Sequence, residues 1–434
     1  MPRRLLPRAL VLACALFAPT AQAQLRLPQL PLPQLPTLQD RLNSPLLRDT
    51  QRLLDRSDIA DLRSLRLKHV TDLLQRHRDV LEADPHGNPV VRHEILAWQA
   101  GSAGVAAAQA AGLSVTGGDA DGVHILRLPA GADIAATLQR LRAADPDGVY
   151  DYNHIYTGSG AAPAGPQSGA GKESLPPGPG AGAAKVGLVD SGIDRGHEVF
   201  ADAAIQSWGC EDGSHPSAHG TAVAALMVGR SARFRGAAPQ AALYAADIYC
   251  DSGSGGSAAR IAAALAWLAR EHVAVINVSL VGPPNLILEK VVRDMVQRGH
   301  LLVAAVGNDG PAAPPLYPAS YAGVVGVSGV DRQGRPLPEA ARGPQVMFAA
   351  PGSQMVSAAI GAPPYRTVRG TSYAAPLVAA LLSLDMGPPS PQAARSALDR
   401  LARSATGVPP GAPSNTLGQG IVGASLRVDP SSFK

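Results

Sequence analysis

The sequence predicts an α/β protein with a parallel sheet covered by helices on both faces, preceded by a ferredoxin-like α+β unit. Three observations support this. Short apolar runs alternate with helical stretches from residue 185 onward, the elements between residues 85 and 156 follow the order β-α-β-β-α-β, and a stretch rich in Gly, Ala, Pro and Ser separates the two parts. A chain of 434 residues exceeds what one core usually organises, so two folded units are expected.

The C-terminal part, residues 185–429, carries the predicted parallel sheet. Strands are predicted at 186–189, 243–248, 273–280, 301–306 and 324–327, and helices at 222–228, 261–270, 288–298 and 374–384. Buried parallel strands are continuous apolar runs of this kind. In such sheets functional groups gather at the carboxyl ends of the strands, so the residues that follow each strand are the candidates for chemistry.

The segment 85–156 is predicted to form the ferredoxin-like unit. Its strands are expected at 90–98, 113–116, 123–128 and 149–156, and its helices at 103–111 and 132–144. Ahead of it, leucines recurring among Arg and Asp residues predict a helical segment at 46–84, after a Pro/Leu-rich linker at 24–45. The stretch 157–184 is expected to be an exposed linker that is open to proteolytic cleavage.

Residues 1–23 have the pattern of a secretory signal peptide, with a basic start, the apolar run 9–18 and a small-residue cleavage site. The protein is therefore expected to be exported, to the periplasm or the extracellular space. No apolar stretch approaches the roughly 20 residues that span a membrane. Without the three arginines of the signal peptide, 35 basic residues face 34 acidic ones, which excludes a strongly basic nucleic-acid or membrane surface.

The cysteines outside the signal peptide are Cys210 and Cys250, and two cysteines in an exported protein predict one disulfide bond. A pair of free buried thiols is the alternative, because connectivity cannot be deduced from sequence. Cys14 lies within the apolar run of the signal peptide and is interpreted as part of that run; a lipoprotein is the alternative.

Two candidate catalytic residues follow the first predicted strand. Asp190 comes directly after it, in the sequence DSGID, where a turn alone would explain the aspartate. A hydrolase needs a buried carboxylate there to orient a histidine. His219 opens a helical run in HGTAVA, although a lone histidine at a helix start is more often structural. A zinc site with His215 is not expected, because Pro216 disrupts the helix that such a site needs.

Two further candidates occur later in the chain. Ser372 lies in GTSYAAP at the start of an apolar helix, where free N–H groups favour developing negative charge, although a helix cap would explain it too. Asn308 ends a predicted strand in LLVAAVGNDG, where its amide would serve a turn or stabilise an oxyanion. Each signal is modest alone, yet all four occur once and at the edge of a predicted sheet element.

Together the motifs DSGID, HGTAVA, VINVSL, AAVGNDG and GTSYAAP resemble those of the subtilisin-like serine peptidases, or subtilases, in that family's order Asp, His, Asn, Ser. The resemblance covers about residues 185–428, including the closing segment LGQGIVGA. It implies a subtilisin-like fold and a serine endopeptidase. By this resemblance Ser372 attacks the scissile carbonyl, His219 transfers the proton, Asp190 orients His219, and Asn308 with the Ser372 N–H stabilises the oxyanion.

The resemblance also implies which segments flank the substrate. The implied contacts are Ser254, Gly255, Ser279, Leu280 and Gly282, which would pair with an extended peptide as strands do. Pro283 and Pro284 depart from the family's usual glycine-rich continuation, so the shape of the primary pocket is not predicted.

The ferredoxin-like unit resembles subtilase propeptides, which act as folding chaperone and temporary inhibitor. A zymogen cleaved between about residues 157 and 184 is therefore expected, with polypeptide substrates and its own propeptide as partners and a monomeric mature form. No cofactor is expected; structural calcium is left open, because the loops that often hold it are short. The alternatives are a catalytically silent binding module with the subtilase fold, which the intact motifs disfavour, and an exported adhesive or structural protein.

Overall fold

The structure, a computed structural model, describes residues 59–118, 122–158, 184–210, 213, 215–250, 252–409 and 411–433. The predicted signal peptide, the linker 24–45 and almost all of the linker 157–184 lie outside these residues. Within the described part, no helix is both long and apolar enough to cross a membrane.

The N-terminal unit, residues 59–158, is a mixed α+β layer. It contains helices α1 (Ile59–Arg76), α2 (Ser102–Ala110) and α3 (Ile134–Ala144), and strands β1 (Leu81–Ala83), β2 (Pro89–Trp98), β3 (Ser114–Gly118), β4 (Val123–Arg127) and β5 (Val149–Gly158). The strands are antiparallel in the order β5-β2-β4-β3. Strand β1 pairs with residues 89–91, at the start of β2. From β2 to β5 the elements follow the order β-α-β-β-α-β, and Leu138 and Leu141 of α3 share a core with Ile95 of β2.

The helical prediction for 46–84 was wrong at its C-terminal end. Helix α1 ends at Arg76, and β1 follows after a turn in which the amide of Leu81 donates to the carbonyl of His77. Leu81 is buried beside Leu73 of α1 and Ile155 of β5. The segment becomes a strand because β2 offers backbone partners there, which leucine periodicity does not reveal.

The C-terminal unit, residues 184–433, carries the predicted architecture. Its helices are α4 (Ala218–Val228), α5 (Ala258–Arg270), α6 (Leu286–Gln297), α7 (Thr371–Ser383) and α8 (Pro391–Ser404). Its strands are β6 (Lys185–Asp190), β7 (Ile205–Trp208), β8 (Ala242–Asp247), β9 (Gly256–Ser257), β10 (Val275–Val278), β11 (Leu280–Val281), β12 (Leu301–Ala305), β13 (Val325–Val330), β14 (Val346–Pro351), β15 (Met355–Ala358) and β16 (Tyr365–Val368).

Seven of these strands form one parallel sheet in the order β14-β13-β12-β10-β6-β8-β7. Helices α4, α7 and α8 pack into the core on one face, and α5 and α6 pack into the core on the other. The prediction of a parallel sheet covered on both faces is confirmed. All carboxyl ends of the strands meet at one edge, and this edge carries the candidate residues.

The prediction of one continuous strand over 273–280 was wrong. Strand β10 ends at Val278, Ser279 follows it, and the next two residues leave the parallel sheet. They form β11, in which Leu280 lies opposite Gly158 and Val281 opposite Thr157 of β5. The apolar run is continuous because both pieces are buried, but they pair with different strands.

Candidate active site

The four candidate residues lie at the carboxyl edge of the parallel sheet. Asp190 is the last residue of β6, and Asn308 follows β12, two strands away in the sheet. His219 is in the first turn of α4, which begins after the capping residue Ser217. Ser372 is the second residue of α7. Residues separated by up to 182 positions in sequence are thus presented on one edge.

Asp190 and His219 form a buried pair. The Nδ1 atom of His219 lies 2.9 Å from Oδ1 of Asp190, whose side chain is only 1% exposed. The amide and hydroxyl of Ser191 donate to the same carboxylate oxygen, at 2.7 and 3.0 Å. A carboxylate on this side favours the tautomer with the proton on Nδ1, which leaves Nε2 of His219 as the basic nitrogen.

Ser372 presents a buried hydroxyl at the start of α7. Its Oγ and the Nε2 of His219 are both buried, and neither has a hydrogen-bond partner among the described residues. The ring of His219 lies 5.5 Å, centre to centre, from that of Tyr373, the neighbour of Ser372. This hydroxyl and this imidazole nitrogen are therefore available to react with a third group, because no described hydrogen bond occupies them.

The backbone carbonyl of Ser372 is held from outside its helix. Pro376, four residues on, has no N–H to donate to this carbonyl, so the usual helical bond is missing. The hydroxyl of Ser279 takes its place, donating to the Ser372 carbonyl at 3.1 Å. Ser279 in turn accepts from the side-chain amide of Asn277 at 2.8 Å. The first turn of α7 is therefore tied to the end of β10.

Asn308 is oriented towards the same point. Its Oδ1 accepts from the amide of Thr371 at 3.0 Å, which directs Nδ2 away from that contact. A methyl group built on Gly370 would lie 3.2 Å from Nδ2 of Asn308 and 3.6 Å from Oγ of Ser372. The two polar groups thus border one small space, and Gly370, with φ +135°, keeps it open.

The short strands β9 and β11 form the two edges of a groove, and β5 of the N-terminal unit lies between them. On one side Ile155 and Tyr156 pair with Ser257 and Gly256. On the other side β5 pairs with β11. An extended chain therefore fits between the two edges with backbone hydrogen bonds on both sides.

The residues predicted to contact substrate have different positions. Leu280 pairs with β5, Gly282 packs against the ring of Tyr156, and Gly255 faces Ile155. The hydroxyl of Ser254 instead bonds that of Ser252 at 2.7 Å. Ser279 is fully buried, and its hydroxyl donates a hydrogen bond to the Ser372 carbonyl instead of facing the groove.

Sequence reasoning missed Gly256 and Ser257, which provide the backbone pairing with Tyr156 and Ile155 of β5. They adjoin residues predicted to contact substrate, but the family motif does not give the register of this pairing. It also missed Pro283, whose carbonyl accepts from the hydroxyl of Tyr156 at 2.7 Å. Register depends on which residues of β5 enter the groove, and short motifs do not contain that information.

Cys210 and Cys250 lie side by side near this edge. Their sulfur atoms are 2.15 Å apart. Burial raises the pKa of the neighbouring Asp247 carboxyl, while the amides of Cys250 and Tyr249 that donate to it oppose the rise. Within the described residues, the two cysteines and Asp247 are the one group of three metal-ligating side chains.

Comparison with known proteins gives the family. The model of the subtilase family matches residues 181–420, more than half of the chain. The chain belongs to the subtilase family. It is a subtilisin-like serine endopeptidase with the α/β fold predicted from the sequence.

The relatives it resembles are peptidases. Thermitase of Thermoactinomyces vulgaris is 32% identical over 209 residues, which cover 46% of this chain and 74% of thermitase. Subtilisin Savinase of Lederbergia lenta is 35% identical over 210 residues, covering 46% of this chain and 75% of that protein. The minor extracellular protease Epr of Bacillus subtilis is 32% identical over 205 residues, but only 31% of its length is matched.

Among solved structures, fervidolysin from Fervidobacterium pennivorans, described as a keratinolytic enzyme related to subtilisin, superposes with a TM-score of 0.64. The match covers 80% of this subtilase and 62% of fervidolysin, at 19% sequence identity. At that identity the likeness shows the fold alone. The matched share exceeds the C-terminal unit, so the common fold extends into the N-terminal unit.

Proposed function

We propose that this subtilase is an exported endopeptidase, made as a self-processing zymogen, with Ser372, His219 and Asp190 as its catalytic triad. The observation that carries the proposal is the buried pair of Asp190 and His219, beside a buried Ser372 hydroxyl that has no other partner among the described residues. In this arrangement the carboxylate of Asp190 orients the imidazole of His219 through Nδ1, and Nε2 remains available as the base.

The residues act in two half-reactions. The Nε2 atom of His219 takes the proton of Ser372 as Oγ attacks the scissile carbonyl, and Asp190 stabilises the imidazolium that forms. The tetrahedral oxyanion receives hydrogen bonds from Nδ2 of Asn308 and the amide of Ser372. His219 returns the proton to the leaving amine, and a water molecule then releases the acyl group by the same steps in reverse.

The substrate is proposed to be an extended polypeptide. Strand β5 provides the precedent, because it lies between β9 and β11 with backbone pairing on both sides. Side chains of the bound strand enter pockets, as Tyr156 does where it is buried against Gly282. Residues 155–158, which pair with these two edges, are an internal segment of the chain, and this supports endopeptidase action.

The N-terminal unit is proposed to be the inhibitory propeptide and folding chaperone. It supplies partners for the starts of two helices of the catalytic unit. The carboxylate of Asp151 accepts from the amide of Leu286 at 2.7 Å, and the side chain of Asn153 accepts from the amide of Ala259 at 3.0 Å. Amides at a helix start have no intrahelical partner, so these contacts stabilise α6 and α5 only while the unit is bound.

Helix α1 extends this contact towards the catalytic residues. The guanidinium of Arg66 lies 3.1 Å from the carboxylate of Asp309, the neighbour of Asn308. Burial raises the pKa of Asp309, and Arg66 opposes the rise. Removal of the N-terminal unit takes this cation away, so its release changes the electrostatic surroundings of the site as well as opening the groove.

Processing is proposed to occur between residues 157 and 184, and the mature enzyme is proposed to be a monomer with a Cys210–Cys250 disulfide. Export, to the periplasm or the extracellular space, rests on residues 1–23 and on the extracellular protease among the relatives. Calcium does not fit the one three-residue cluster of the described part, because it offers two sulfur atoms where calcium prefers about six to eight oxygens.

The test is the Ser372→Ala variant of the full chain. It should fail to hydrolyse casein and should retain its N-terminal unit, as judged by N-terminal sequencing of the secreted protein, whereas the wild type loses it. Full casein hydrolysis by this variant would exclude Ser372 as the nucleophile. A wild-type protein without any hydrolysis would favour the catalytically silent binding module, or an exported adhesive protein.

A further inference from the structure

An ion pair with a buried carboxylate and a partly buried guanidinium lies beside the candidate oxyanion donors, outside the residues that react. Glu339 and Arg369 are joined by two hydrogen bonds, from Nε to Oε1 at 2.7 Å and from Nη2 to Oε2 at 2.9 Å. The side chain of Glu339 is 3% exposed and that of Arg369 is 22% exposed. Two parallel bonds between planar groups fix both distance and orientation.

Each partner is attached to one half of the oxyanion site. Arg369 immediately precedes Gly370 and Thr371, whose amide bonds Oδ1 of Asn308. Glu339 belongs to the segment that holds the loop around Asn308 from the other side. Its carbonyl accepts from the amide of Gly310 at 2.9 Å.

Two further bonds complete the frame. The amide of Ala341 donates to the carbonyl of Gly307 at 3.1 Å, and the amide of Gly307 lies 3.3 Å from the hydroxyl of Thr371. The ion pair thus connects the segment bearing Asn308 to the segment bearing Ser372, from a position beside both. Because desolvation of the buried Glu339 carboxylate offsets the attraction, the pair adds little net stability, and its contribution is fixed geometry.

We propose that Glu339 and Arg369 are positioning residues, which hold the side-chain amide of Asn308 and the backbone amide of Ser372 in register for the oxyanion. This rests on the proposed roles of Asn308 and Ser372. The transition state needs both donors within hydrogen-bond distance of one oxygen, whereas substrate binding between β9 and β11 does not involve them. The pair therefore acts on kcat and leaves KM nearly unchanged.

The experiment combines Arg369→Gln with Asn308→Ala in a double-mutant cycle on the full chain. Hydrolysis of a chromogenic peptide is measured and normalised to the sites that react with a fluorophosphonate. Arg369→Gln should lower kcat about tenfold or more with KM within about twofold, because small misplacements of catalytic groups have effects of this size. Arg369→Lys, which keeps the charge but not the two-pronged bond, should fall between the variant and the wild type.

In the Asn308→Ala background, Arg369→Gln should lower kcat by a clearly smaller factor than in the wild type, because one of the two donors that it positions is already gone. Glu339→Gln should reproduce the pattern if Arg369→Gln folds poorly. Arg335→Gln, which breaks the exposed ion pair with Asp331, is the control and should leave kcat unchanged.

Two results would overturn the inference, and they are distinguishable. If Asn308→Ala lowers kcat but Arg369→Gln and Glu339→Gln lower only the melting temperature, or if their effects on kcat add to that of Asn308→Ala, the pair is structural and the proposed function stands. If Asn308→Ala itself leaves kcat unchanged, the oxyanion role of Asn308 fails, and the positioning role fails with it.

Discussion

The residues at the active edge are held by hydrogen bonds from neighbouring side chains. Ser191 gives the Asp190 carboxylate two hydrogen bonds beyond the one to His219. The Ser372 carbonyl, which Pro376 deprives of its helical partner, is held by Ser279. Oγ of Ser372 and Nε2 of His219 are buried without a partner among the described residues, and these are the two atoms that the proposed mechanism needs.

Ser279 provides a prediction at this scale. In Ser279→Ala, the carbonyl of Ser372 and the amide of Asn277 both lose a buried partner, and an unsatisfied buried group costs about 1–3 kcal/mol. The free energy of unfolding should fall by at least about 1 kcal/mol, and kcat should fall because the first turn of α7 is loosened. Urea unfolding and peptide hydrolysis measure the two effects.

The matched control is Ser404→Ala in α8, which removes a hydroxyl that bonds only the carbonyl of Leu401 in the described contacts. It should leave kcat at the wild-type value. Wild-type stability and kcat in Ser279→Ala would contradict the role assigned to this hydroxyl.

Residue types at the active edge were predictable, but their supports were not. Each candidate residue lies in a short motif that can be recognised in the sequence alone; the four are Asp190, His219, Asn308 and Ser372. The contact between Glu339 and Arg369 joins segments 30 residues apart with no local pattern. Such supports depend on which loops the sheet order brings together, which no single motif contains.

At the scale of elements, β5 belongs to two units at once, because its two halves pair with different parts of the chain. Its first residues complete the antiparallel sheet of the N-terminal unit, and its last residues fill the groove of the catalytic unit. The apolar alternation predicted a strand at 149–156 but not its extension to Gly158, because the added pairing comes from β11. Helices α5 and α6 depend on the same strand for partners at their starts.

The turn between β1 and β2 gives a pH prediction. Burial alone would raise the pKa of Asp84, but hydrogen bonds from His154, Asn88 and His86 lower it to about 2. An unfolded aspartate titrates near pH 4, so the stabilisation is complete above about pH 4 and is lost as the pH falls towards 2. After allowance for solvent screening, it amounts to about 1 kcal/mol.

The measurement compares Asp84→Asn with its parent, both carrying Ser372→Ala to prevent self-digestion. The variant should melt lower at pH 6, and the difference should vanish towards pH 2. Asp79→Asn, at an exposed position five residues earlier, is the control and should match the parent at every pH. A difference that persists unchanged at pH 2 would show that the carboxylate charge is not its cause.

At the scale of the whole molecule, the described chain is an enzyme with its groove filled by its own N-terminal unit. Strand β5 pairs with both edges of the groove, and helix α1 reaches the neighbour of Asn308. The sheet, its helical layers and the order of catalytic motifs were predictable from sequence. The way the N-terminal unit enters the groove was not, since it arises from pairing between segments more than 100 residues apart.

The central claim is that Ser372 is the nucleophile of this subtilase. It is tested most directly by reacting the mature wild-type protein with a fluorophosphonate and locating the adduct by peptide mass spectrometry. One equivalent should be bound, on Ser372, with loss of casein hydrolysis in proportion. An adduct on a different serine, or continued hydrolysis by protein fully modified at Ser372, would contradict the account.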